Sequence, residues 1–193
     1  MSSRIKLTSD IIYKHIYIYL VLAIFVVTII TSFGLSTEIT LYSNYTLVEK
    51  ESVTRFMNTI PSQFKDGVLY FEFKDDCGDM YSYFRINPIP TICITMDVED
   101  MSFFWKAAIY HEIGHYVWWS KLTYDEQEEY KRIYDVNYNS GKLTSQYSEK
   151  NFREGFAEDF MYFHMNVYYM GPQENNTQEY MEKTINRILM ETF

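Results

Sequence analysis

The sequence predicts an α+β domain preceded by one membrane helix. Runs rich in β-branched and aromatic residues come first in the body of the chain, at 67–73, 81–86 and 91–98. From residue 101 onward, apolar residues recur at helical spacing over long stretches. Because the strands precede the helices and do not alternate with them, the order favours a small antiparallel or mixed sheet followed by helices.

Each predicted element has a local reason. Apolar residues at helical spacing from Leu47 onward predict a helix that Pro61 ends. The Asp/Gly-rich stretch 74–79 marks a turn between strands. Three further helices are predicted within 102–119, 122–138 and 151–170. The last predicted helix, 177–193, is amphipathic, and its buried side carries Met181, Ile185, Ile188 and Leu189.

Length and composition exclude several classes of protein. The chain has 193 residues, of which 47% are hydrophobic and 19% aromatic, so it has enough apolar material for one packed core. Its 17 basic and 26 acidic residues give a net charge of −9. This charge provides no basic surface for a phosphate backbone, so we expect no nucleic-acid partner.

The N-terminal part has the pattern of a membrane anchor. Residues 16–33 carry no charged side chain, and a helix of this length spans about 27 Å, close to the hydrocarbon thickness of a bilayer. Arg4, Lys6 and Lys14 precede this segment, so the positive-inside rule predicts a cytoplasmic N-terminus. The prediction is a cytoplasmic segment (1–15), a transmembrane signal-anchor (16–36) and an extracytoplasmic domain (37–193). The alternative is a cleaved signal peptide and a secreted protein.

Cys77 and Cys93 are the only cysteines, and both lie in the body. An oxidising compartment would allow them to form a disulfide. Two reduced, buried thiols are the alternative, and the sequence does not decide between them.

The segment His111-Glu112-Ile113-Gly114-His115 indicates a metal centre. On a helix, the two histidines lie one turn apart on the same face and can bind one ion, for which zinc is the usual choice. Glu112 can act as general base toward a water molecule that the metal activates. Gly114 within the helix costs about 1 kcal/mol relative to alanine, which suggests that something approaches the backbone closely there.

A third metal ligand has to come from elsewhere in the chain. Glu154 and Glu158 share one face of a predicted helix, and either could reach the metal. Glu154 also fits a capping box that begins at Asn151, so its role as a ligand or a cap stays open. Glu158 could orient a ligand imidazole or be a solvated helix charge. We expect His164 to be a core or surface histidine, since three better candidates fill the ligand positions.

These residues together resemble a known family. HEIGH, followed by Tyr147 and seven residues later by Glu154 within EGFAEDF, is similar to the metalloprotease domain of anthrax lethal factor and its relatives, including the secreted Pro-Pro endopeptidases. The resemblance implies a zincin-like fold, zinc bound by His111, His115 and Glu154, Glu112 as base and Tyr147 as the donor that stabilises the oxyanion. It also implies an edge strand that holds the substrate extended, and TICITMDV (91–98) occupies that place in the chain.

The sequence therefore predicts a membrane-tethered zinc endopeptidase that acts on peptide or protein substrates. A phenol beside the metal is a chemically reasonable oxyanion donor, since one such donor is worth about 2.7–4 kcal/mol. One alternative function is a catalytically weak binding or toxin-like interaction protein built on the same scaffold. The other is a structural membrane protein in which the HExxH pattern is accidental.

Overall fold

A computed structural model describes residues 38–41, 47–68, 70–74, 76–78, 82–95, 103–165 and 175–190. All of them belong to one compact unit, Thr37–Phe193. The predicted cytoplasmic segment and membrane anchor, 1–15 and 16–36, lie outside the described residues. No helix within the described ranges is both long and apolar enough to cross a membrane.

The described residues form a mixed sheet and a set of helices, which confirms the α+β prediction. The strands are β1 (Glu38–Leu41), β2 (Tyr70–Lys74), β3 (Ser82–Arg85) and β4 (Thr91–Thr95). The helices are α1 (Leu47–Thr59), α2 (Phe103–Ser120), α3 (Tyr124–Ser140), α4 (Phe152–Met165) and α5 (Asn175–Met190). Two 3₁₀ turns, Ser62–Phe64 and Tyr147–Lys150, precede β2 and α4.

Helix boundaries follow local signals. α1 ends at Thr59, just before Pro61, as the sequence predicts. Thr123 begins α3 with a complete capping box to Glu126, and Gly141 ends that helix in the left-handed conformation that glycine tolerates best.

The strand order in the sheet is β1-β2-β4-β3. β1, β2 and β4 run parallel, and β3 pairs antiparallel with β4. The strand β1 was not predicted from the sequence. The substrate-binding edge was expected at 91–98, and this is wrong for the described part of that segment, because β4 lies between two strands. The edge beside β4 is β3.

One face of the sheet carries the apolar side chains of the core. Where β2 pairs with β4, Phe71 lies opposite Ile92 and Phe73 lies opposite Ile94, and all four side chains are fully buried. α2 packs beside β3 and β4, and α4 packs along α2. On α5, Met181, Ile185 and Ile188 are buried and Leu189 is partly buried, as its amphipathic pattern predicts.

Cys77 and Cys93 form a disulfide, with their Cα atoms 6.0 Å apart. Cys93 is fully buried in β4, and Cys77 lies in the segment between β2 and β3. The disulfide therefore links the connection between β2 and β3 to β4.

Candidate metal centre

The two histidines of the motif lie on α2, one helical turn apart. Their ring centroids are 4.8 Å apart. His111 is 8% exposed and Glu112 only 3% exposed, on a helix that is otherwise largely apolar and buried. Polar side chains at such positions require polar or charged partners, because burying them unpaired is costly.

The partners of the histidines come from α4, which approaches α2 very closely at Gly114. A Cβ atom added to Gly114 would lie 2.8 Å from the Cα of Ala157 and 3.3 Å from its carbonyl oxygen. Only a residue without a side chain leaves room for this approach. The expectation that something comes close to the Gly114 backbone is confirmed, and the approaching element is the helix that carries the glutamates.

Glu154 is brought directly to the histidine pair. Its Oε2 atom lies 3.2 Å from Nε2 of His111 and 3.2 Å from Nε2 of His115. The candidate ligand atoms of the three residues all lie within 4.8 Å of one another, so the group could hold a metal ion. The three predicted ligands, from two helices, thus converge.

The spacing fits a tetrahedral ion. Ligand atoms about 2.0–2.1 Å from such an ion are separated by about 3.3 Å, close to the two distances found here. Although Oε2 of Glu154 is near two ring nitrogens, it is buried and has no hydrogen-bond partner in the part of the chain that the structure describes. One oxygen that lies this close to two ring nitrogens is placed as the ligands of one cation would be.

The charge of the cluster also favours a cation. Three carboxylates, those of Glu112, Glu154 and Glu158, surround two imidazoles. Burial acts to lower the pKa of His111, but the contacts with Glu154 and Glu158 outweigh it and raise this pKa to about 9. Burial acts to raise the pKa of Glu154, but the two imidazoles hold it well below its usual range. A cluster with this excess of carboxylates attracts positive charge, as a site for a divalent ion does.

Glu158 contacts the His111 ring on the side away from Glu154. Its Oε1 atom lies 2.9 Å from Nδ1 of His111, and the residue is only 8% exposed. The alternative of a solvated helix charge is therefore wrong. A carboxylate in this place fixes the ring orientation and leaves Nε2 of His111 free for a metal.

The capping and ligand interpretations of Glu154 are compatible. The side-chain oxygen of Asn151 accepts hydrogen bonds from the backbone N–H groups of Arg153 and Glu154, as an N-cap does. The Glu154 side chain extends to the histidines. Asn151 thus begins α4, and Glu154 in its first turn reaches the metal centre.

Glu112 lies beside the ligands and contacts a residue that the sequence analysis did not single out. The Ser82 hydroxyl, on β3, donates a 2.6 Å hydrogen bond to Oε1 of Glu112. Burial raises the pKa of the Glu112 carboxyl, although both histidines and Ser82 oppose the shift. One serine in a short strand carries no sequence signal for this contact, which only the fold creates.

Tyr147 lies beside His111, with the two ring centroids 5.6 Å apart. The residue is 46% exposed, and the ammonium of Lys150 lies 3.5 Å from the centre of its ring. The 3₁₀ turn that carries it is held from α3, because the Tyr134 hydroxyl donates to the carbonyl of Ser148 at 2.9 Å. Tyr147, the predicted oxyanion donor, therefore lies beside the candidate metal centre.

Asp159 anchors the loop that precedes this turn. Its carboxylate accepts hydrogen bonds from Tyr130, at 2.6 Å, and from the Thr144 hydroxyl. Burial raises the pKa of Asp159 to about 6, although both hydrogen bonds oppose the shift. The same helix thus provides Glu154 for the metal centre and an anchor for the loop that leads to Tyr147.

His164 lies apart from the metal ligands, as expected for a core histidine. Its ring stacks on Tyr110, with centroids 5.0 Å apart, and contacts Phe64 and Phe160. Burial among these aromatic rings lowers its pKa to about 4.

Neither protein-family models nor curated proteins give a match to this chain. The resemblance to the lethal factor family therefore stays a prediction from the motif residues and their spacing. The arrangement defines a candidate metal centre with a carboxylate, Glu112, and a phenol, Tyr147, at its margin.

Proposed function

We propose that this chain is a zinc-dependent endopeptidase. The observation that carries the proposal is the convergence of one buried carboxylate oxygen of Glu154 on the Nε2 atoms of His111 and His115, each 3.2 Å from it. Two histidines and one carboxylate are a typical ligand set of catalytic zinc, which keeps one position for water or substrate. A bound zinc ion supplies Lewis-acid activation of a water molecule and of the scissile carbonyl.

The residues around the ligands have the chemistry that peptide hydrolysis requires. Glu112 accepts the proton of the attacking water and returns it to the leaving amine. Its burial supports this role, because a carboxyl whose pKa is raised exchanges protons more readily near neutral pH. Tyr147, beside His111, donates a hydrogen bond to the oxygen that becomes negative in the tetrahedral intermediate. Glu158 keeps the ring of His111 oriented.

The sheet offers a place for an extended substrate. β3 pairs with β4 on one side only, and no strand in the described ranges covers its other side. A peptide can add to such an edge through main-chain hydrogen bonds. Because Ser82 of β3 contacts Glu112, a peptide on this edge would lie close to the proposed base.

The proposal includes the membrane anchor at 16–36 and a catalytic unit on the far side of the membrane. The disulfide between Cys77 and Cys93 supports this location, since disulfides persist mainly in oxidising compartments.

Metal analysis and peptide cleavage test the proposal together. The full chain, purified in detergent, should contain one zinc ion and cleave members of a peptide library, and a chelator should abolish cleavage until zinc is restored. Glu112→Gln should retain zinc and lower kcat by at least about 10²-fold. Glu179→Gln, at an exposed position on α5, is the matched control and should behave as the wild type.

The outcomes separate the alternatives. A chain that binds zinc and cleaves no peptide would favour the interaction protein on a metalloprotease scaffold. Absence of bound zinc would indicate that the site is a hydrogen-bonded cluster of core side chains. Cleavage at the wild-type rate by Glu112→Gln would exclude Glu112 as the base.

A further inference from the structure

We propose that Ser82 is a positioning residue that holds Glu112 by one carboxylate oxygen and leaves the other for proton transfer. The inference rests on the proposed function and goes beyond it, because it joins the base to the strand on which we place the substrate. The hydrogen bond from Ser82 Oγ to Glu112 Oε1 is 2.6 Å long, in the range of strong bonds to an ionised acceptor.

The two oxygens of Glu112 have different surroundings. Oε1 accepts the bond from Ser82, whereas Oε2 is buried without a hydrogen-bond partner among the residues that the structure describes. A carboxylate without any anchor could rotate and present either oxygen. The Ser82 contact removes that freedom, so Oε2 is the oxygen that receives the proton.

The register of the sheet explains why Ser82 points at the base. Ser82 lies opposite Ile94, and Phe84 lies opposite Ile92. Residues directly opposite one another in an antiparallel pair place their side chains on the same face. Ile92 and Ile94 belong to the buried core, and the ring of Phe84 contacts Tyr116 of α2 at 5.8 Å. The alternation of β3 therefore directs Ser82 toward α2.

This contact couples substrate binding to the base. The backbone of β3 that faces away from β4 is the edge available to an extended peptide. A peptide paired there would restrain the strand that carries Ser82, and so would restrain the carboxylate that Ser82 holds. Ser82 would then contribute more to the rate of the chemical step than to the affinity for substrate.

Kinetics of three variants test this role. Ser82→Ala should lower kcat about 10- to 100-fold, the worth of one hydrogen bond to a charged group, while KM stays within about twofold. Ser82→Thr keeps the hydroxyl and should restore kcat to within about threefold of the wild type. Glu179→Gln, at an exposed position on α5, is the matched control and should leave kcat unchanged. All three should retain one zinc ion per chain.

A measurement on the metal-free chain tests the contact without any assay of activity. Urea unfolding of the wild type, Ser82→Ala, Glu112→Gln and the double variant forms a double-mutant cycle. We expect a coupling factor of about tenfold in the unfolding equilibrium constant. A coupling factor of one, wild-type kcat in Ser82→Ala, or a loss confined to KM or to zinc content would overturn the role of Ser82. Failure of the zinc-loaded wild type to cleave any peptide would instead overturn the proposed function and this role together.

Discussion

Gly114→Ala is the substitution that most directly tests how the metal centre is assembled. The new Cβ would lie 2.8 Å from the Cα of Ala157, about 0.7 Å closer than carbon atoms pack comfortably. The clash is with backbone, so α4 has to move away from α2. Alanine gains about 1 kcal/mol of helix propensity, and overpacking costs about 1–3 kcal/mol, so the free energy of unfolding should fall by up to about 2 kcal/mol.

Gly114→Ala should affect the affinity for zinc more than the stability of the fold. Glu154 is carried by the helix that has to move, whereas His111 and His115 stay on α2. Relieving the clash requires a displacement of about 0.7 Å. This exceeds the roughly 0.5 Å within which a site has to be held, so zinc affinity should fall at least about tenfold.

Zinc competition with a chromophoric chelator measures the affinity, and urea unfolding of the metal-free chain measures the stability. Ile188→Val is the matched control, because it should cost about 0.5–1.5 kcal/mol in α5 and leave zinc affinity unchanged. Wild-type zinc affinity in Gly114→Ala would refute the argument that the contact between α2 and α4 sets the spacing of the ligands.

Three further predictions concern the surroundings of the centre. Glu158→Gln should weaken zinc binding about 10-fold, measured by the same competition, because the carboxylate that orients His111 loses its charge. Replacing Cys77 and Cys93 together by alanine should lower the free energy of unfolding by about 3 kcal/mol, and a reducing agent should then have no further effect. His164, whose pKa falls from about 6.5 in the unfolded chain to about 4 in the fold, should cost stability as the pH drops. Between those pH values only the unfolded state binds this proton. The free energy of unfolding should therefore be about 3 kcal/mol lower at pH 4 than above pH 6.5. His164→Phe should remove this part of the decline, as measured by urea unfolding.

The elements that local pattern controls were predictable from the sequence. The helix around HEIGH and the helix that begins at Asn151 both follow from spacing and capping signals within a few residues. The mixed α+β character was predictable for the same reason. Gly114 was informative because a glycine inside a helix is unfavourable unless another backbone comes close.

Long-range pairing was not predictable to the same degree. β1 alternates polar and apolar residues but is only four residues long, too short for the alternation to identify a strand, so its pairing with β2 becomes visible only in the sheet. The position of β4 between β2 and β3 depends on which strands pair, and the order along the chain does not reveal this. For the same reason Ser82, which follows no motif, could not be linked to Glu112 from the sequence.

The contacts of α3 show how a centre built from distant segments keeps its geometry. Tyr130 donates to Asp159 on α4, and Tyr134 donates to the carbonyl of Ser148, within the turn that carries Tyr147. Glu154 lies between these two anchor points along the chain. Because both anchors lie on α3, the turn that carries Tyr147 and the helix that carries Glu154 are held to the same element. α3 therefore does more than connect the two halves of the motif, since the hydroxyls of Tyr130 and Tyr134 both bind the second half.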